Sequence, residues 1–161
     1  MTLVWSGASI VLALILQAGL SRFLPDQAPL LDPFLLITIF VSLARGENNG
    51  MLAGVAAAWA EEIQFGGQVL GLLGLTRAML AFFIGQAGRR FLISQVPAQF
   101  ALIFATTIVD AWLVGRLADL FEVPLTAVSL STLAMRASVN AVLGAAAFRL
   151  LDRRLRPEPQ L

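Results

Sequence analysis

Apolar runs, broken at intervals by proline, glycine or a charged residue, occupy almost the whole chain. A strand alternating apolar and polar residues would change character every second position, and no such alternation is sustained here. The runs are instead long enough for helices that cross a bilayer, which takes about 20 apolar residues. The breakers mark six spans. Pro25 to Pro29 ends a first span near residues 3–24. The stretch Arg45-Gly46-Glu47-Asn48-Asn49 ends a second near 29–44, and Gly66-Gly67 ends a third near 50–65. Arg89-Arg90 ends a fourth near 70–88, Asp119 to Pro124 ends a fifth near 97–118, and the sixth covers 126–151. The expected fold is an all-α integral membrane protein: residues 1–151 as one compact bundle of six transmembrane helices, and 152–161 as a short polar tail. Short connections predict that consecutive helices are antiparallel neighbours.

Composition agrees. The 161 residues are 58% hydrophobic and only 13% charged, against about 25% charged in an ordinary soluble domain. All 11 cations are arginine, and there is no Lys, His, Cys or Tyr. Zinc and haem ligation by Cys or His, Ser–His and Cys–His nucleophilic pairs, and lysine Schiff bases are therefore excluded. Adjacent glutamates in a membrane suggest a CAAX-type protease, but that chemistry also needs histidine. No glycine-rich phosphate loop is present. The chain is expected to be non-enzymatic and to need no cofactor or metal. A net charge of +1, with no basic stripe, gives no nucleic-acid surface.

The arginines set the orientation. With six spans, one side of the membrane holds Arg45, Arg89, Arg90, Arg153, Arg154 and Arg156, whereas the other holds Arg22 and Arg116. The positive-inside rule then puts both termini in the cytoplasm. The first span lacks the charged start and small-residue cleavage site of a signal peptide, so it is expected to stay as a helix.

Four positions place charge within apolar spans: Glu61 or Glu62, Arg77, Asp110 and Arg136. Each such charge costs about 2.5–3.5 kcal/mol at the bilayer centre unless it faces protein or water. A rise of 1.5 Å per residue puts Glu62 roughly 18 Å up from the inner edge and Arg77 roughly 10 Å below the outer one, nearly level. Asp110 lies roughly 20 Å up and Arg136 near the middle. Two ion pairs are expected, Glu62–Arg77 and Asp110–Arg136. Their plain role is to hold the bundle together; an ion path or a partner-facing polar site is the alternative. Two stripes with four-residue spacing, Gly50-Gly54-Ala58 and Thr132-Arg136-Asn140-Gly144, read as helix-packing or partner-interface faces, because small residues let helices approach closely. The stretch 64–76, with Gly66, Gly67, Gly71 and Gly74, reads as an outer loop entering the fourth helix, with a re-entrant element as the alternative.

These features together resemble the rod shape-determining protein MreD family of bacteria. The resemblance covers nearly the whole chain and is carried by Gly50, Gly54, Ala58, Glu62, Gly66 and Leu70-Gly71, together with Pro29, Pro33 and Ala44-Arg45-Gly46. Glu62 stands where the family usually has Asp, and Ala58 where it has Gly. The resemblance implies a component of the bacterial inner membrane, part of the cell-elongation machinery that supports peptidoglycan synthesis and cell shape. It would bind an MreC-like membrane scaffold, and through it a peptidoglycan glycosyltransferase and transpeptidase and actin-like filaments; a homodimer is also open. The family's fold is similar to the substrate-binding S component of ECF vitamin transporters, which supplies the alternative function. Such a protein would need an outer polar pocket, for which Trp59, Glu61, Glu62, Gln64, Gln68 and Trp112 are the candidates.

Overall fold

The computed structural model describes residues 2–23, 30–65, 71–90, 95–124 and 128–155. Pro25 to Pro29, Gly66, Gly67, Gln68, Leu70, Thr126 and the tail beyond 155 lie outside the described residues. Six α-helices follow one another: α1 (Thr2–Phe23), α2 (Pro33–Arg45), α3 (Glu47–Phe65), α4 (Leu72–Arg90), α5 (Val96–Leu120) and α6 (Leu130–Leu155). No strand occurs among the described residues. Two helical stretches, Val96–Leu120 and Leu130–Leu150, are long and apolar enough to cross a membrane. The apolar helix Pro33–Arg45 is shorter, roughly 20 Å long at 1.5 Å per residue.

Local chemistry explains where the helices differ from the expected spans. α2 starts four residues later than Pro29 because Asp32 is its N-cap, accepting the Leu35 N–H at 2.9 Å, with Pro33 in the first turn. The polar run after Arg45 is almost wholly helical. The break is Gly46 alone, at φ 82°, a left-handed conformation that glycine adopts without strain. α4 follows Gly71, at φ 96°, so residues 72–76 of the glycine-rich stretch are helix. At the far end, the Ser129 hydroxyl accepts the Thr132 N–H at 3.2 Å and starts α6.

Consecutive helices are all in contact, and the short α2 touches every other helix. Paired positions give the directions. A Cβ on Gly50 would overlap Ser42, and one on Gly54 would meet Thr38 Cγ2 at 2.9 Å, so α2 and α3 are antiparallel. Gly85 abuts the Glu47 backbone and Gly74 abuts Trp59, so α3 and α4 are antiparallel too. α6 runs parallel to α2, with Asp32 at Asn140, Leu36 at Gly144 and Phe40 at Phe148, the two rings 5.1 Å apart. Around α2 the other helices form a ring. α1 meets α3, α3 meets α4, α4 meets α5 and α5 meets α6, but among the described residues α6 does not meet α1.

The core is apolar on both sides of α2. Leu35, Ile39, Leu80, Ile84, Ile103 and Ala141 fill one side, and Ala13, Phe34 and Ala57 the other. Polar groups are buried with them, including Thr38, Ser42, Thr76, Thr106 and Thr107. Thr38 and Ser42 each donate to the carbonyl one turn back, Phe34 O at 2.9 Å and Thr38 O at 2.6 Å. Large apolar side chains lie on the outside instead, among them Leu12, Leu52, Ile63, Phe83, Leu130, Val142 and Leu150.

Candidate functional site: a buried charge network

The charged side chains gather where α2 begins. That end of the bundle also holds the end of α3 and the starts of α4 and α6. Asp32 is the hub. One oxygen, Oδ2, accepts from Arg77 Nη2 at 3.0 Å and from Arg136 Nη2 at 2.7 Å, and Oδ1 takes the Leu35 amide that caps α2. The backbone N–H of Asp32 donates to Asn140 Oδ1 at 2.9 Å, fixing the loop to α6. The same Arg77 nitrogen lies 2.6 Å from Glu61 Oε2. Charges therefore alternate along Arg136, Asp32, Arg77 and Glu61, joining α6, the start of α2, α4 and α3.

Burial differs along this chain. The Asp32 and Arg77 side chains are 2% and 1% exposed, whereas Arg136 keeps 28% and Glu61 24%. The middle is sealed and both ends reach the surface. Breaking a sealed pair leaves an unpaired charge in a low-dielectric interior, so each member depends on the next.

The two expected ion pairs are replaced by others. Glu62 does not pair with Arg77. Its carboxylate accepts the N–H groups of Gly71 at 2.7 Å and Leu73 at 2.8 Å. It caps α4 from the neighbouring helix, where amides of the first turn lack partners within their own helix. The end of α3 does lie beside Arg77, but direction around the helix decides the partner. Glu61, one residue and about 100° away, faces Arg77. Arg136 does not pair with Asp110, because Asp32 takes it. Asp110 is buried and its Oδ1 has no hydrogen-bond partner; it interacts with Arg77, Asp32 and Arg136 only through longer-range electrostatics. Arg77 Nε and Nη1 and Asn140 Nδ2 are also buried without acceptors.

The small-residue faces sort as follows. Gly50, Gly54 and Ala58 face inward, Gly54 between Thr38 and the Arg77 backbone. Asn140 is buried, and Gly144 sits between Ile103 and Leu36. Thr132 is exposed, bonded to Ser129 at the start of α6. It stands apart from the stripe below it because the first turn of α6 extends beyond the packed core.

Sequence reading overlooked Asp32, which lay inside an apparently continuous apolar span. Its signal was available: Asp directly before Pro33 is the signature of an N-cap followed by proline in the first turn. Gly85 and Gly88, which let α4 approach Glu47 and Leu43, were also overlooked. At the opposite end of the bundle, Arg89 pairs with Glu47 at 2.9 Å with 63% of its side chain exposed. No group of three or more His, Cys, Asp or Glu side chains able to hold a metal occurs among the described residues. No protein-family model, curated protein or solved structure matches the chain.

Proposed function

We propose that the chain is an integral membrane protein with six spans and a non-enzymatic assembly role of the MreD type. The observation that carries this reading is the reversal of polarity between inside and outside. Asp32, Glu62, Arg77, Asp110 and Asn140 are buried, while Ile15, Leu52, Ile63, Phe83, Trp112 and Val142 are exposed. In water both arrangements would be unfavourable: exposed apolar area costs about 25 cal/mol per Å², and buried charge costs several kcal/mol. In a bilayer both are favourable, since lipid wets the outside and paired charges face one another. The pairing also accounts for α3 and α4. Their charges are directed at the interior, so helices of modest hydropathy can still sit in lipid.

Both termini then lie in the cytoplasm with the arginine-rich turns, and the charge network sits in the outer half of the bundle. The partner is an MreC-like scaffold with a membrane helix. Through it the protein contributes to peptidoglycan synthesis and rod shape. A sealed core locked by charge suits a rigid docking partner. The S-component reading is less well supported, because Trp59 and Trp112 are 54% and 58% exposed and so do not line an inner pocket. The test is tagged purification from membranes of a host expressing the chain together with an MreC-like scaffold. Stoichiometric recovery of the scaffold and rounding of cells on depletion are expected. Absence of both would overturn the assignment, and tight binding of a vitamin would favour the S component.

A further inference from the structure

The ring of helices around α2 has one open place. Around a central helix of about 10 Å diameter, six neighbours of the same size fit. α2 has five, and the missing contact is between α6 and α1. α2 is consequently only partly buried on this side, at Ile37 and Phe40. The wall on α6 can be assigned. Ala141, on the side of Asn140 that turns toward α5, packs with Ile103 of that helix. Leu143 lies about 60° from Asn140 in the other direction, and Arg136 and Ala147 share that side. Leu143 and Ala147 are exposed, and Arg136 is 28% exposed.

We propose that this groove is the docking place of one transmembrane helix from a partner, apolar along its length and bearing a carboxylate or amide level with Arg136. The inference rests on the membrane reading above and adds where the partner sits. Charge favours a partner over a second copy. A symmetric dimer would set the same patch against itself, bringing Arg136 toward the Arg136 of the other copy. A partner helix with an acceptor at that level meets a guanidinium that, among the described residues, has one nitrogen committed, to Asp32. An apolar helix would also cover the partly exposed α2 face and complete the ring.

The chain has no cysteine, so Leu143→Cys, Ala147→Cys and the control Val109→Cys, on the exposed face of α5, can each carry a benzophenone crosslinker. The probe is the MreC-like scaffold copurified with the full chain. Irradiation is expected to join the scaffold's membrane helix at 143 and 147 with at least tenfold higher yield than at 109. Equal yields at all three sites, no scaffold adduct at 143 and 147, or an adduct between two copies of this chain there would overturn the proposal. Failure of the scaffold to copurify with the cysteine-free protein would instead count against the function proposed above.

Discussion

Asp32 and Arg77 meet at 3.0 Å with both side chains almost wholly buried. One ends the loop that enters α2, and the other projects from the first half of α4. Their contact fixes the start of the central helix against its neighbour. Because Asp32 also holds Arg136 and Arg77 also holds Glu61, removing either has consequences beyond one pair.

Asp32→Ala takes from Arg136 its counter-charge, leaves the buried Arg77 with Glu61 alone, and also removes the cap of α2. A loss of about 3–5 kcal/mol is expected, read from unfolding of the detergent-solubilised protein. The double change Asp32→Ala with Arg77→Leu should cost less than the sum of the single changes, since the two sealed charges are then removed together and neither is left buried without the other. Additive losses would show that the pair contributes no coupling.

Glu62→Ala is expected to cost about 1–2 kcal/mol, the usual value of a helix cap. Its effect should be additive with Arg77→Leu, because Glu62 serves the Gly71 and Leu73 amides instead. The same double-mutant cycle on Glu61 and Arg77 should show coupling. The two cycles together measure which glutamate is the partner.

The comparison between these glutamates shows what could be read from sequence and what could not. Breakers and run lengths placed the six helices, because proline and glycine interrupt helices through backbone geometry alone. Counting residues along the helices put Glu62 and Arg77 at nearly one level, and Glu61 is the next residue along. Choosing between Glu61 and Glu62 needs the direction each helix faces, which is set by packing against α2. Asp32 escaped for a related reason: the prolines flanking 29–33 looked like the edge of a span, so the acid between them was counted as part of an apolar run.

Asp110→Asn is expected to leave stability unchanged or raise it by up to about 1 kcal/mol. Among the described residues Asp110 makes no ion pair, and three carboxylates (Asp32, Glu61, Asp110) face two guanidiniums (Arg77, Arg136) in this cluster. Asp110→Asn removes the cost of keeping an unpaired charge away from solvent. Asp32→Asn, measured in parallel by thermal unfolding, should be clearly destabilising.

Gly54→Ala places a methyl group 2.9 Å from Thr38 Cγ2 and 3.3 Å from the Arg77 carbonyl oxygen. Overpacking of this kind costs about 1–3 kcal/mol. Thr38→Ser removes the closer atom, so the double variant should recover part of the loss in the same unfolding measurement. No recovery would mean that the Arg77 backbone is the obstacle.

The account depends most on the membrane placement of the bundle, and the cysteine-free chain makes that directly measurable. Single cysteines at Asn48, just after the α2–α3 turn, and at Glu122, just after α5, both occupy exposed positions. A membrane-impermeant maleimide applied to intact spheroplasts should label Glu122→Cys and spare Asn48→Cys, and inverted vesicles should give the reverse. Labelling of both positions from the same side, or recovery of the protein in the soluble fraction, would contradict the account.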